Sequence, residues 1–430
     1  MMRLFVSLCC LLFVSNTIII GQENSEVISP KTQHRFAQSG FGIYTGYAPA
    51  WETKVSGVAG SEPDKLSFAP RSATHLNISG MHFWGKVDFF INIPILNLQS
   101  GTRTTDYATG TETGFRYFLW KTPYTAKISP FVGMSFNSLN FRYLGKTDDK
   151  SDDGSNYNKV SYPIHAGVST IANKKHYFEL SATWMYNNKA TYYFDRVAAS
   201  TLRLPPLQFR IGYRYLLDTT VSAEEDLLNG RTKEQEDRLG KAGKLNTFSA
   251  AVGVSSTFFL KESTDVAPYM GRHRGGNVFI EWGAGYYHHK LDAHLNLSYR
   301  SINSEISAYG STLEFRRKAL SLDLCKSLFD YKGFVPFIGI SPGWERLEAI
   351  GEDALNPGTA FQAKEDQWKL GYIFGWDIRP NRLQSFLLRT NVRYFPGLTL
   401  QNEQTGGKRY HFDQLEINFI QAVFYLNKLF

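Results

Sequence analysis

The sequence is 430 residues long, carries 47 Lys and Arg against 39 Asp and Glu for a formal net charge of +8, and is 15% aromatic, with 24 Tyr and 32 Phe. The basic residues are scattered and form no stripe, which argues against a nucleic-acid binder. A mean hydropathy of −0.29 excludes a helical membrane protein, and so many large rings are hard to bury in a soluble fold.

Residues 1–21 open Met-Met-Arg, continue as a long apolar run and end at Gly21, before Gln22-Glu23-Asn24. A short basic start and an apolar core read as a secretory signal peptide, cut after Gly21. Cys9 and Cys10 lie inside that core, so a lipoprotein reading fails and Cys325 is left as the lone cysteine of the mature chain. A single thiol forms no internal disulfide, and Cys325 reads as a small apolar packing residue. Residues 22–39 are expected as an N-terminal periplasmic segment.

From there the pattern has period two. Val160, Tyr162, Ile164, Ala166 and Val168 alternate with Ser161, His165, Gly167 and Ser169; Leu207, Phe209, Ile211, Tyr213 and Tyr215 alternate with Gln208, Arg210, Gly212 and Arg214. Successive side chains of a strand point to opposite faces, so each segment has one apolar and one polar face. About sixteen strands are expected, near 40–50, 73–82, 85–95, 111–120, 127–144, 159–171, 175–187, 206–217, 246–260, 276–287, 290–300, 311–325, 334–348, 366–378, 384–396 and 411–428. Their length fits a tilted membrane strand, and aromatics recur near their ends as in interfacial girdles. Short connections, such as Lys121–Tyr124, Ala172–Lys175 and His288-His289, alternate with longer polar ones, such as Thr147–Asn158.

The two halves of this region look related. Ile128-Ser-Pro-Phe-Val-Gly-Met134 resembles Phe334-Val-Pro-Phe-Ile-Gly-Ile340, and Phe41-Gly-Ile-Tyr-Thr-Gly46 resembles Phe248-Ser-Ala-Ala-Val-Gly253. Gly85-Lys-Val-Asp-Phe-Phe-Ile-Asn92 likewise resembles Lys290-Leu-Asp-Ala-His-Leu-Asn296. The shared offset of about 206 residues points to an internal duplication. Residues 40–217 would form the first half of a barrel and 246–430 the second. Between them 218–245 is a charged periplasmic linker with one short helix around 222–240, and a periplasmic partner could dock there. The expected fold is all-β: a single antiparallel up-and-down transmembrane barrel of about sixteen strands, wide enough for an aqueous channel. Two eight-stranded barrels in tandem are the alternative, and the long linker favours them.

At this point the chain resembles the bacterial outer-membrane β-barrel, or porin-like, proteins of Gram-negative cells. The C-terminal Phe430, with Leu426, Phe424, Ala422 and Ile420 before it, looks like the family's signal for the barrel-assembly machinery, although Lys428 stands where an aromatic is usual. The Pro-Phe-Val-Gly and Pro-Phe-Ile-Gly stretches look like a strand of small eight-stranded members. The resemblance implies the cell outer membrane, with its lipid and lipopolysaccharide as partners, and selects no subfamily.

No nucleotide, phosphate-loop or hydrolase motif is present, so no enzyme and no cofactor is expected. Asp148, Asp149, Asp152 and Asp153 lack the spacing of a calcium loop, and His288-His289 sits in a turn, so no metal is expected. Arg272, His273 and Arg274 form a basic patch in another loop, expected as a plain soluble loop, with contact to acidic lipopolysaccharide as the alternative. The expected lumen-lining residues are Arg210, Arg214, Arg300, Arg389, Arg393, Glu179, Glu281 and Asp292, with Asp88, Lys369 and Asp377 on the same polar faces. They would form either an interior salt-bridge network or a charged constriction favouring anions. The functional expectation is a pore or transport channel for small hydrophilic solutes. The alternative is a non-conducting structural, adhesion or secretion-associated barrel, and an outer-membrane enzyme trails both.

Overall fold

The computed structural model describes residues 37–426 except 58–64, 84, 100–104, 144–154, 198, 218–229, 265–267, 271–276, 332–333, 354–360, 379–384 and 402–408. The leader, the Asp148–Asp153 cluster, the Arg272–Arg274 patch and Phe430 lie outside the described residues.

In chain order the first half holds β1 (Ala37–Ala48), β2 (Trp51–Lys54), β3 (Ser56–Gly57), β4 (Lys65–Phe68), β5 (Arg71–His82), β6 (Val87–Gln99) and β7 (Thr105–Phe118). These are followed by β8 (Ser129–Tyr143), β9 (Asn156–Ser161), β10 (Ile164–Ala172), β11 (His176–Trp184), β12 (Lys189–Tyr193), β13 (Ala199–Arg203) and β14 (Leu207–Leu216). A helix, Gly230–Lys241, precedes the second half: β15 (Thr247–Thr264), β16 (Asn277–His288), β17 (Ala293–Ala308), β18 (Ser311–Ser327), β19 (Phe334–Asp353), β20 (Phe361–Ile378), β21 (Phe386–Gln401) and β22 (Arg409–Tyr425).

Two barrels close, not one. In the first, β1, β5, β6, β7, β8, β10, β11 and β14 pair antiparallel in that order, and β14 returns to β1 with Tyr213 opposite Ile43. The second runs β15 to β22 and closes with Ala250 opposite Phe424. The expected single barrel of about sixteen strands is therefore replaced by the tandem arrangement. The physical reason lies in the interiors, where each half supplies its own opposing charges and fills its own lumen, as eight strands allow. The related segments fall at equivalent places. Phe131 and Phe337 both sit in the fifth strand of their barrel, packed inside.

The expected strand near 159–171 is broken at Pro163 into β9 and β10, which continue each other along β8. The Ser135 amide bonds to the Pro163 carbonyl at 3.0 Å, so pairing to β8 runs across the break. Hairpins at one end are tight. Asn173 and Lys174 both have positive φ, 48° and 61°, the signature of a type I′ turn. Connections at the other end are longer and carry β2, β4, β12 and β13.

Burial along the strands is inverted relative to a soluble sheet. On β14, Ile211 is 62% exposed while Arg210 and Arg214 are 4% and 1% exposed. On β18 the inversion ends part-way along. Leu320, Leu322 and Leu324 face outward over inward Ser321 and Asp323, whereas outward Glu314, Arg316 and Lys318 lie over inward Leu313 and Phe315. The neighbouring strands change at the same level, at the cross-strand pair Trp344 and Trp368, beyond which Arg346 and Asp366 face water. An apolar belt bounded by tryptophans is the signature of a strand crossing a bilayer.

The barrels also touch. Outward Phe258, Ile417 and Phe419 of the second are buried together with Val160 of the first, with Ile91, Phe136 and Tyr162 packed against them. At the short-turn end Phe89 stacks on Phe334, at 6.3 Å, and packs against Trp376. At the long-loop end Arg196, in the β12–β13 turn, donates to the carbonyl of Tyr309 at 2.9 Å, and the Tyr309 hydroxyl donates to the Tyr193 carbonyl at 2.9 Å.

Candidate functional site: the two lumens

Period-two alternation turns the charged residues inward, and the strand register brings them level. In the first barrel Arg214 (β14) donates to Asp88 (β6) at 2.9 and 2.8 Å, and Arg116 (β7) donates to the same carboxylate at 2.8 Å. Arg116 also pairs with Glu179 (β11) at 3.2 Å, whose other oxygen accepts from the Tyr44 hydroxyl at 2.7 Å. Arg210 grips Glu112 at 3.1 and 3.0 Å, and Ser135, Asn92 and His165 also contact that carboxylate. Guanidinium planes lie over rings, Arg214 on Tyr177 at 3.7 Å and Arg116 on Phe90 at 3.9 Å.

The second barrel repeats the principle with different residues. Arg393 (β21) bridges Glu281 (β16) at 2.6 Å and Asp323 (β18) at 2.7 Å. Arg317 joins Glu345, at 2.7 Å, to Glu416, and Arg300 pairs with Glu416 at 2.9 Å. Arg389 holds Asp377 through two bonds of 2.7 and 2.9 Å. All of these side chains are nearly without solvent contact.

Of the expected lumen residues, Arg210, Arg214, Arg300, Arg389, Arg393, Glu179 and Glu281 face the interiors, divided between the two barrels. Asp292 does not line a lumen wall. It sits in the β16–β17 turn with φ of 43° and accepts from the Tyr287 hydroxyl at 2.6 Å, closing the short-turn end. Lys369 reaches the Gly397 carbonyl at 2.6 Å. Phe424 lies on the outward row of β22, and Leu426, just past its end, is exposed. The expectation omitted Glu112, Arg116, Arg317, Asp323, Glu345 and Glu416. Glu112 follows a bulge in β7 that disturbs the alternation, and Arg317 is hidden in the run Arg316-Arg317-Lys318.

The charged layer lies between two apolar ones. Below it, toward the short turns, Met81, Phe118, Phe131, Tyr177 and Leu216 fill the first barrel. In the second, Cys325, Phe337 and Ile373 do so, beside a cluster around Tyr287 and Tyr425. Phe131 and Phe337 each fit because the next strand offers a glycine: a Cβ on Gly167 or Gly375 would meet the ring at 2.8 or 2.5 Å. Above it, toward the long loops, Leu66, Phe68, Phe141, Tyr192 and Leu202 pack over the first barrel. Phe259, Phe315, Leu347, Phe395 and Phe412 pack within the second.

Each barrel sheet is closed and antiparallel, apolar outside and charged within. This is the architecture of bacterial outer-membrane β-barrels. No protein-family model and no curated protein matches the sequence. Among solved structures, the chain is similar to the outer membrane protein OprG from Pseudomonas aeruginosa, with 12% identity over 43% of this chain and 97% of that one, at a TM-score of 0.30. It is similar to the outer membrane protease OmpT from Escherichia coli, with 8% identity over 94% and 100% of the chains, at 0.19. A TodX monoaromatic hydrocarbon channel variant gives 7% identity over 90% of each chain, also at 0.19. At such TM-scores the likeness transfers no activity, and the fold assignment rests on the strand pairing itself.

Proposed function

We propose that the protein is a non-conducting double barrel of the outer membrane, with its short turns in the periplasm and its long-loop caps facing outward. The observation that carries this reading is the layering of each lumen. An aqueous path would have to pass an aromatic layer, a layer of paired charges and a second apolar layer. The belt of the first barrel pairs three arginines, Arg116, Arg210 and Arg214, with three carboxylates, Asp88, Glu112 and Glu179, while buried Arg71 donates to the Tyr107 carbonyl and lies over the Tyr107 ring. The pore reading depended on a wide lumen, and dividing the strands between two barrels removes that width. The same side chains serve instead as an interior network, and no catalytic role is assigned to them. The work then falls to the outward surfaces, in a structural or surface-presenting role.

Reconstitution of the purified chain in a planar bilayer tests this. A correctly folded protein, verified by heat-modifiable mobility, is expected to insert without stepwise current. Reproducible unitary conductance steps from the folded form would overturn the reading.

A further inference from the structure

The cap of the first barrel carries a feature that neither lumen explains. β2 and β4 form one small sheet, and β12, β13 and β3 form another. Their inner faces bury Thr53, Leu66, Phe68, Ala190, Tyr192 and Leu202. The sheets are tied together by the Arg203 amide, which donates to the Thr53 hydroxyl at 3.2 Å, and by the Trp51 indole, which donates to the Arg203 carbonyl at 3.2 Å. A pocket of about 320 Å³ between them is lined by exposed Lys54, Lys189, Thr201 and Arg203 together with buried Thr53 and Leu202.

The charge arrangement there is costly. Lys189 stands directly opposite Arg203 across β12 and β13, and Lys54 stands directly opposite Lys65 across β2 and β4. Like charges at opposed positions of a sheet destabilise it. Among the described residues none of Lys54, Lys189 and Arg203 forms an ion pair, and no carboxylate lines the pocket. Glu52, on the same strand as Lys54, accepts from the Ser67 hydroxyl at 3.5 Å. In the lumens, by contrast, each arginine of the ion-pair belts meets a carboxylate. Lys54, Lys189 and Arg203, gathered without a carboxylate on a cross-braced cap, leave a polyvalent oxyanion as the missing partner. An arginine fork with two ammonium groups suits phosphate in particular.

We propose that this pocket binds a phosphate group, carried either by a free small molecule or by the headgroup of a phosphorylated lipid in the surrounding leaflet. The site does not depend on whether the lumens conduct.

The test uses the full chain in a neutral detergent, titrated calorimetrically with inorganic pyrophosphate, and in parallel the chain in phosphatidylcholine nanodiscs doped with diphosphoryl lipid A, read by native mass spectrometry. The comparison is with Lys189→Gln/Arg203→Gln, an exposed pair whose substitution is expected to leave heat-modifiable folding intact. The expected result is saturable binding to the wild type that weakens with salt and falls at least tenfold in the double variant. Binding of pyrophosphate with no retention of lipid A identifies a free phosphate ligand, and preferential retention of lipid A identifies a headgroup. Equal binding by wild type and variant with both probes, or no binding to either, overturns the proposal.

Discussion

Arg214 donates to both oxygens of Asp88 across the first lumen, from the last barrel strand to the third. The same carboxylate serves Arg116, so a single acidic side chain holds two buried guanidinium groups. Removing it leaves Arg214 without its ion-pair partner away from water and Arg116 with Glu179 alone. Asp88→Ala is expected to lose about 3–5 kcal/mol of stability, the usual effect of breaking a buried pair from one side. Urea unfolding in lipid, followed by heat-modifiable mobility, measures it. Glu314→Ala, which breaks the exposed pair with Arg316, should leave the unfolding midpoint in place. A shift of similar size for both variants would contradict the sealed interior.

Gly375 gives Phe337 its place in the second barrel. A Cβ there would lie 2.4 Å from the Thr390 carbonyl and 2.5 Å from the Phe337 ring. Gly375→Ala is expected to destabilise the barrel by about 1–3 kcal/mol through overpacking and strand displacement. The second-barrel unfolding step, reported by intrinsic tryptophan fluorescence, should shift, and Phe337→Ala should relieve only the part due to the ring. A wild-type midpoint for Gly375→Ala would mean the glycine is not required.

Arg196 and Tyr309 lock the outer edges of the barrels together. The guanidinium also reaches Ser311 at 3.3 Å and lies over the Tyr269 ring at 5.3 Å. Arg196→Ala removes these contacts from the loop, and Arg196 takes no part in the strand pairing of either closed sheet. The expected outcome is an unchanged unfolding midpoint with a broader distance distribution between spin labels on the two barrels. An unaltered distribution would place the whole coupling in the membrane-level contacts around Phe258 and Ile417.

The strands are legible in the sequence because a strand with one apolar and one polar face leaves a period-two pattern. Along Leu207–Leu216 the apolar and polar side chains alternate, and their exposure alternates in step. Closure is not legible, because period two fixes which face a side chain takes and says nothing of which strand lies beside it. The charged stretch 218–245 is the only local hint that Tyr213 should pair back to Ile43. Most of the lumen arginines follow from parity alone, whereas parity misplaces Asp292 because the turn runs through it and β17 begins only at Ala293. The cap strands β2, β4, β12 and β13 are hidden in segments that read as loops. Outward Ile417 and Phe419 give no sign that they face another barrel, since lipid and a neighbouring barrel select the same side chains. Pro163, which brings no N–H to a ladder, is the residue that marks the break in 159–171.

The account depends most on two separate closures, and disulfide trapping reads them directly. Ile43 and Tyr213 are register partners on the outer face of the first barrel, both exposed, at a spacing that antiparallel pairs share with disulfides. With Cys325 replaced by Ala, Ile43→Cys/Tyr213→Cys in the folded, membrane-inserted protein is expected to cross-link nearly completely under mild oxidation, while Tyr213→Cys/Phe248→Cys stays reduced. Efficient cross-linking of the second pair with failure of the first would join β14 to β15 and contradict the double barrel.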